Sequence, residues 1–153
     1  MINKIAVLGC GWLGLPLAKS LLAKSYFING STTSAEKLPT ILSNGIAPFL
    51  VQLGSKLTGD DLQLFLNVDL LIINIPPGRS TNQADDYEAK ISALTQEIQK
   101  STIQKVIFIS STSVYPDNQT TVDERCNLIN ESDAAKRMIK AEEIIKSIPN
   151  IQS

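Results

Sequence analysis

The chain has 153 residues, 43% of them hydrophobic, with 14 basic and 15 acidic side chains, two cysteines and no histidine. A chain of this length folds as one domain with its own core, and the missing histidine excludes Ser-His-Asp catalysis and imidazole metal ligands. Cys10 and Cys126 are too far apart in sequence to form a CxxC redox pair, and the balanced charge, without a basic run, argues against nucleic-acid binding.

A strand, a glycine-rich turn and a helix are predicted to open the chain. Residues 2–8 form a β-branched apolar run that ends at glycine, which is typical of a buried parallel strand. The motif Gly9-Cys10-Gly11-Trp12-Leu13-Gly14 comes next, and apolar residues then recur at helical spacing over residues 13–24. A second, short strand is predicted over residues 26–29.

The later elements continue the alternation of helices and strands. Predicted helices cover residues 33–44, 60–66, 83–100 and 132–146, and predicted strands cover residues 47–53, 70–75 and 106–109. The run 70–75 is the most apolar stretch, which indicates the centre of a sheet. We therefore expect one α/β domain over residues 1–153, a Rossmann-type doubly wound parallel sheet of about five strands with helices on both faces.

The glycine motif is the strongest functional signal, because it stands between a predicted strand and a predicted helix. Gly9 allows a tight turn, Gly11 has no Cβ to block a pyrophosphate, and Gly14 lets the helix pack closely on the strand. Free backbone N–H groups around Trp12 and Leu13 would face the phosphates at the positive end of the helix dipole. The alternative is a glycine turn without a ligand. For the Trp12 side chain, packing against neighbouring loops is favoured over stacking on a ligand.

The residues after the second strand bear on which dinucleotide binds. An NAD site usually places Asp or Glu there, whereas this chain has Ser31, Thr32 and Thr33. Hydroxyls donate to a 2′-phosphate, which a carboxylate would repel, and Lys37 follows one helical turn later, so NADP is slightly favoured over NAD as the cofactor. The alternative is that Ser31 and Thr33 cap the next helix.

Other residues are given simpler interpretations. Ile75 and Pro76 are expected to contact the cofactor, because open α/β sheets bind ligands at the carboxyl ends of their strands. No metal site is predicted. Three pairs of neighbouring carboxylates are interpreted as solvated helix faces: Asp60-Asp61, Asp85-Asp86 and Glu142-Glu143.

Two segments carry a resemblance to a known family. They are Gly9 to Gly14 with the following Leu15-Pro16-Leu17-Ala18, and Ser110-Ser111-Thr112-Ser113-Val114-Tyr115. Together they resemble the NAD-dependent epimerase/dehydratase family, the extended short-chain dehydrogenases, and most closely an atypical bacterial subgroup. The resemblance covers nearly the whole chain. It implies hydride transfer between NAD(P) and a carbonyl or hydroxyl substrate, as in nucleotide-sugar epimerases and dehydratases.

The resemblance also implies roles for single residues. Ser111 occupies the position of a family serine or threonine that polarises the substrate beside the nicotinamide, and Tyr115 that of a structural tyrosine. In the family's YxxxK helix, Ser132 stands where the catalytic tyrosine belongs, and Lys136 stands at the lysine. A serine hydroxyl is too weak an acid to replace the tyrosine at neutral pH, so Ser132 is interpreted as a helix N-cap. For Lys136, contact with the nicotinamide ribose and simple solvation are equally plausible.

Family members continue with a further strand and a carboxy-terminal substrate-binding portion, which this sequence lacks. We therefore expect either a truncated chain or a sheet completed by another chain, with a homodimer as a possible assembly. The first hypothesis is an NAD(P)-dependent oxidoreductase or epimerase acting on a small-molecule substrate. The alternative is a non-catalytic dinucleotide-binding sensor or regulatory module, and a third possibility is a fragment that binds nothing. Short apolar runs and the absence of a signal-peptide layout predict a cytoplasmic protein without membrane partners.

Overall fold

The computed structural model describes residues 1–77, 87–115, 121–123, 125–126, 132–149 and 151–153. Within these ranges the strands are β1 (Lys4–Leu8), β2 (Phe27–Thr32), β3 (Ala47–Leu53), β4 (Leu57–Gly59), β5 (Leu70–Ile73) and β6 (Lys105–Phe108). The α-helices are α1 (Gly14–Leu22), α2 (Leu38–Ser43), α3 (Leu62–Phe65), α4 (Tyr87–Gln99) and α5 (Asp133–Lys146), with 3-10 turns at Ala35–Lys37 and Thr112–Val114. No helix in this part of the chain combines the length and the hydropathy that a transmembrane span requires.

The strands form one sheet in the order β4-β3-β2-β1-β5-β6. β1 pairs in parallel with both β2 and β5, and the pairs β2–β3 and β5–β6 are also parallel. β4 folds back antiparallel on β3. The order of parallel strands therefore reverses at β1, with β5 on its other side, which is the switch point of a doubly wound sheet. The predicted Rossmann-type α/β fold is confirmed.

The two faces of the sheet build two separate cores. On one face, Ala6 and Leu8 of β1 belong to a cluster that includes residues of α4 and α5. On the other face, Ile5 and Val7 pack in a cluster with Ala18 of α1 and with α2. Because side chains alternate across a strand and both faces are covered, the strand reads as a continuous apolar run.

The second strand is longer than predicted. β2 continues through Ser31 and Thr32, whereas the sequence predicted its end at residue 29. Gly30 lies inside the strand, and an added Cβ there would come within 2.8 Å of Cys10 Sγ and of Ile46 Cγ2, so the position has no room for a side chain. The glycine just after the predicted end of the strand is thus a position of close packing within it.

Two further elements differ from the prediction. The sheet has six strands rather than about five, because the three-residue β4 is too short to show a readable hydrophobic period. The helix predicted over residues 33–44 is divided into the 3-10 turn and α2, and Pro39, which lacks an N–H, lies in the first turn of α2. The start of the helix predicted over 83–100, with the pair Asp85-Asp86, lies outside the described residues.

The Asp69 carboxylate is hydrogen-bonded to the amino end of β1, and the contribution of these bonds to stability depends on pH. Its Oδ2 accepts hydrogen bonds from the amides of Asn3 at 2.7 Å and Lys4 at 2.9 Å, which hold the pKa of Asp69 below its ordinary value. A lowered pKa stabilises the fold above the unfolded-state value of about 3.9, and this stabilisation is lost as the pH falls through the folded-state pKa.

Between about pH 7 and about pH 3, we expect the midpoint of urea unfolding to fall less in Asp69→Asn than in the unsubstituted chain. Equal falls in both proteins would contradict this assignment.

Candidate functional site

A cleft of about 560 Å³ opens where β1, β5 and β6 end. The carboxyl ends of parallel strands at the switch point are where open α/β sheets bind ligands. Its walls come from the glycine loop, the segments after β5 and β6 and the first turns of α5: Gly11, Trp12, Leu13, Asn74, Pro76, Pro77, Ile109, Ser110, Ser111, Ser113, Ala134 and Met138. Five residues predicted from the sequence therefore share one cleft: Gly11, Trp12, Leu13, Pro76 and Ser111.

The three glycines of the motif have different structural roles. Gly9 has a φ of +102°, in the left-handed region, and a Cβ added to it would lie 2.4 Å from the Asn74 carbonyl oxygen. A Cβ on Gly14 would lie 2.1 Å from the Gly9 carbonyl oxygen. At Gly11, by contrast, an added Cβ meets no atom within 4 Å. Gly9 and Gly14 thus permit close backbone approach, while Gly11 borders open space in the cleft.

The amino terminus of α1 has the properties of an anion site. The first hydrogen bond of the helix runs from the Leu15 amide to the Gly11 carbonyl at 3.1 Å, so the amides from Gly11 to Gly14 have no acceptor within the helix. The N-cap residue, Leu13, supplies no side-chain hydrogen bond, and the first turn carries no acidic residue. These amide donors, the helix dipole and the open space at Gly11 fit a diphosphate group.

Cys10, inside the motif, is a packing residue. Its side chain is buried and lies 3.8 Å from the Val7 carbonyl oxygen, and burial raises the pKa of the thiol to about 11. A buried thiol with a raised pKa is unreactive at neutral pH. Among the described residues, no group of histidine, cysteine or carboxylate side chains is arranged to hold a metal ion.

The end of β2 is hydrogen-bonded to the glycine loop. Ser31 is buried, its Oγ accepts a hydrogen bond from the Gly9 amide at 3.1 Å, and its carbonyl accepts one from the Cys10 amide at 2.7 Å. Thr32 is also buried, and its Oγ1 accepts from the Ser34 amide at 3.2 Å. The Ser31 and Thr32 hydroxyls are therefore engaged by backbone amides.

Thr33, which follows, is exposed. The alternative that Ser31 and Thr33 cap the next helix is wrong. Ser34 is the N-cap of the described 3-10 turn Ala35–Lys37, and no side chain makes a cap hydrogen bond at this turn. Ser31, Thr32 and Thr33 do not line the cleft.

The segment after β5 is held against the glycine loop. The Asn74 side-chain amide donates to the Gly9 carbonyl at 3.1 Å. The buried Tyr87 hydroxyl, at the start of α4, donates to the Ile75 carbonyl at 2.6 Å, and burial raises the pKa of this tyrosine. Ile75 is partly buried against the core and is not part of the cleft wall, whereas its neighbour Pro76 is.

Ser111 lines the same cleft as the residues before α1. It is the N-cap of the 3-10 turn Thr112–Val114, and its Oγ accepts a hydrogen bond from the Ser113 amide at 3.2 Å. The Ser113 hydroxyl also lies 2.9 Å from Ser111 Oγ. Tyr115 packs against the core, which agrees with its expected structural role. Ser111 and Ser113 thus line the cleft with two hydroxyls that are hydrogen-bonded to each other.

Helix α5 begins at the position of the missing tyrosine. The Ser132 hydroxyl accepts from the Ala135 amide at 3.1 Å, so its predicted role as N-cap is confirmed. Lys136 is exposed, lies 4.0 Å from Asp133 and is not part of the cleft wall. Ala134 is the residue of this turn that lines the cleft.

The Trp12 side chain stands at the mouth of the cleft. It is 90% exposed, so the favoured expectation that it packs against neighbouring loops is wrong. A large aromatic ring held at a cleft rim is available for contact with a bound molecule.

Ser110 has a hydrogen-bond partner that was not predicted from the sequence. The Ser110 hydroxyl donates to Glu142 Oε1 at 2.5 Å, and the Glu142 side chain is only 17% exposed, so its interpretation as part of a solvated face is wrong. The available signal was the four-residue spacing of Ala134, Met138 and Glu142. It places Glu142 on the face of α5 that lines the cleft.

Comparisons with known proteins agree with this fold. The chain is 36% identical over 125 residues to protein YeeZ of Escherichia coli K12, a match that covers 80% of this chain and 46% of that protein. The structure of UDP-N-acetylglucosamine 4-epimerase from Bacillus cereus superposes with a TM-score of 0.73 at 21% identity, covering 96% of this chain and 56% of that one. UDP-glucuronic acid 4-epimerase from Bacillus cereus in complex with NAD gives a TM-score of 0.70 at 21% identity, with 95% and 53% covered. No protein-family model matches the chain.

The chain spans about half the length of the curated relatives it matches. At about one fifth identity, the solved structures establish the shared fold.

Proposed function

We propose that this chain binds a nicotinamide dinucleotide in the cleft and belongs to the NAD-dependent epimerase/dehydratase family. The observation that carries the proposal is the uncapped amino terminus of α1, which faces open space at Gly11 in a cleft that leads to Ser111. The 36% identity with YeeZ over 125 residues and the fold shared with an epimerase solved with NAD support it.

Different residues of the cleft would contact different parts of the bound dinucleotide. The amides from Gly11 to Gly14 would hold the diphosphate, and Trp12 would contact the molecule at the rim. When bound, the dinucleotide supplies a hydride donor or acceptor, so the chemistry we propose is oxidation or reduction at a carbonyl or hydroxyl carbon. Ser111, with Ser113 hydrogen-bonded to it, would hold that substrate oxygen.

NADP is the form of the cofactor that the chain's residues favour. β2 ends at Thr32 with no carboxylate to repel a 2′-phosphate, and both the exposed Thr33 and the exposed Lys37 follow it. Because Ser31 and Thr32 are buried while Thr33 and Lys37 are exposed, Thr33 and Lys37 are the residues we assign to the 2′-phosphate.

A second candidate is a dinucleotide-binding module without catalysis. The observation that favours it is Ser132, whose hydroxyl is used as the N-cap of α5 and stands where a catalytic tyrosine would be required. Exposed Lys136 likewise lies outside the cleft wall. Tight dinucleotide binding without turnover of any carbonyl or hydroxyl substrate would distinguish this module from the enzyme.

Titration of the chain with NADH and NADPH tests the proposal. Trp12 is the single tryptophan, and the reduced nicotinamide ring absorbs the light that tryptophan emits, so binding at the cleft is expected to quench its fluorescence to saturation. NADPH is expected to bind more tightly, and Lys37→Gln to weaken NADPH by about threefold to fivefold without changing NADH. Lys24→Gln, which removes an exposed lysine beyond the other end of α1, is the matched control. No quenching by either dinucleotide, in a chain with unchanged circular dichroism, would refute the proposal.

A further inference from the structure

A carboxylate lies directly behind one wall of the cleft. Ser110 lines the cleft, and its hydroxyl donates a hydrogen bond to Glu142 Oε1 at 2.5 Å. Glu142 Oε2 lies 3.5 Å from Lys146 Nζ, so the pair carries opposite charges. The Glu142 side chain is 17% exposed and that of Lys146 is 68% exposed. Water therefore screens the ammonium much more than the carboxylate, so the pair's net contribution to the field at the Ser110 wall is negative.

The hydrogen bond between Ser110 and Glu142 also sets the polarity of the wall itself. Because the Ser110 proton points toward the carboxylate, the lone pairs of its oxygen are left for the cleft. Hydroxyl dipole and carboxylate charge thus have the same sign on that side. A positive group in the cleft would be stabilised by both.

The position of this wall relative to a bound dinucleotide follows from the sheet. With the diphosphate at α1, the adenosine half of a bound dinucleotide would lie toward β2 and the nicotinamide half toward β5 and β6, where Ser110 stands. The nicotinamide ring carries a positive charge when oxidised and none when reduced. The two forms of the cofactor therefore differ by one charge at the end of the cleft that Glu142 underlies.

We propose that Glu142, acting through Ser110, sets the preference of this site for the oxidised over the reduced dinucleotide. This inference rests on the proposed function and adds to it a redox selectivity. It requires no turnover, so it holds equally for an enzyme and for a module that reports the ratio of the two forms. Lys146 has the opposite and smaller effect, since it offsets part of the Glu142 charge and is more solvated.

The test is the affinity of each variant for both redox forms of the same dinucleotide, measured by calorimetry. We expect Glu142→Gln to lower the ratio of oxidised to reduced affinity by about fivefold, and Lys146→Gln to raise it by about twofold. A merely structural role predicts a different result. Both substitutions break the same ion pair, so structural damage would weaken both forms alike and shift the two variants in the same direction.

Two outcomes would overturn the inference. One is an unchanged ratio in Glu142→Gln with both forms still bound, whether or not the affinities change, and the other is a shift of the ratio in the same direction in both variants. If Glu142→Gln does not fold, the direction of the Lys146→Gln shift decides alone. Failure of the unsubstituted chain to bind either form would refute the proposed function itself, and is distinguishable because it appears before any substitution is made.

Discussion

Replacing Gly11 with valine is expected to abolish dinucleotide binding while leaving the fold intact. Nothing lies within 4 Å of a Cβ at this position, and Gly11 borders the cleft, so the branched side chain would occupy the space proposed for the diphosphate. We expect the Kd to rise by about 100-fold or more, equivalent to about 2.7 kcal/mol, with an unfolding free energy within about 0.5 kcal/mol of the unsubstituted chain.

The matched control for this substitution is Gly54→Val. Gly54 also has room for a side chain, with the nearest atom 3.7 Å from an added Cβ, but it lies in the turn between β3 and β4. Its Kd is expected to be unchanged. Calorimetric titration of both variants, with urea denaturation of the same samples, checks the prediction. Undiminished binding by Gly11→Val would remove the diphosphate from this loop.

Gly14→Ala is expected to have the opposite pattern, a large loss of stability. The added Cβ would lie 2.1 Å from the Gly9 carbonyl oxygen and 3.0 Å from Asn74 Nδ2, so backbone must move to admit a single methyl group. Overpacking of this kind costs about 3 kcal/mol at the upper end of its usual range. The displacement of α1 from β1 would also break the bond from Asn74 to Gly9.

Urea denaturation measures this effect, and Gly11→Ala is its control. The two variants add the same methyl group three residues apart in one loop, yet only the Gly14 position is closed by backbone. An unfolding free energy for Gly14→Ala equal to that of Gly11→Ala would show that the helix adjusts without cost, and would contradict the packing role assigned to Gly14.

The sequence predicted the fold because the buried strands leave a direct signature. β1 and β5 are covered on both faces, so nearly every residue in them is apolar and their centres are unmistakable. The limits of β2 were harder to predict, because Gly30 and Ser31 resemble a turn unless one knows that Cys10 packs against the glycine. Such a contact between segments twenty residues apart is not encoded in any local pattern.

The candidate site was predictable to a similar degree. Gly11, Trp12 and Leu13 belong to a motif whose local context is enough to place them at a helix start. The hydroxyl of Ser31 was expected at the cofactor, but a tertiary hydrogen bond to the Gly9 amide engages it. The link from Ser110 to Glu142 spans 32 residues and depends on how α5 packs beside β6, which the helical period constrains but does not determine.

The most direct test of the central claim is a titration of the isotopically labelled chain with NADPH, followed residue by residue in amide NMR spectra. We expect shifts in the amides of Gly11, Trp12, Leu13, Gly14 and Ser111, with the Gly54 amide unchanged. Spectra that do not respond, or shifts confined to the surface groove lined by Asp61, Asn67 and Thr102 on the α3 and α4 side, would contradict it.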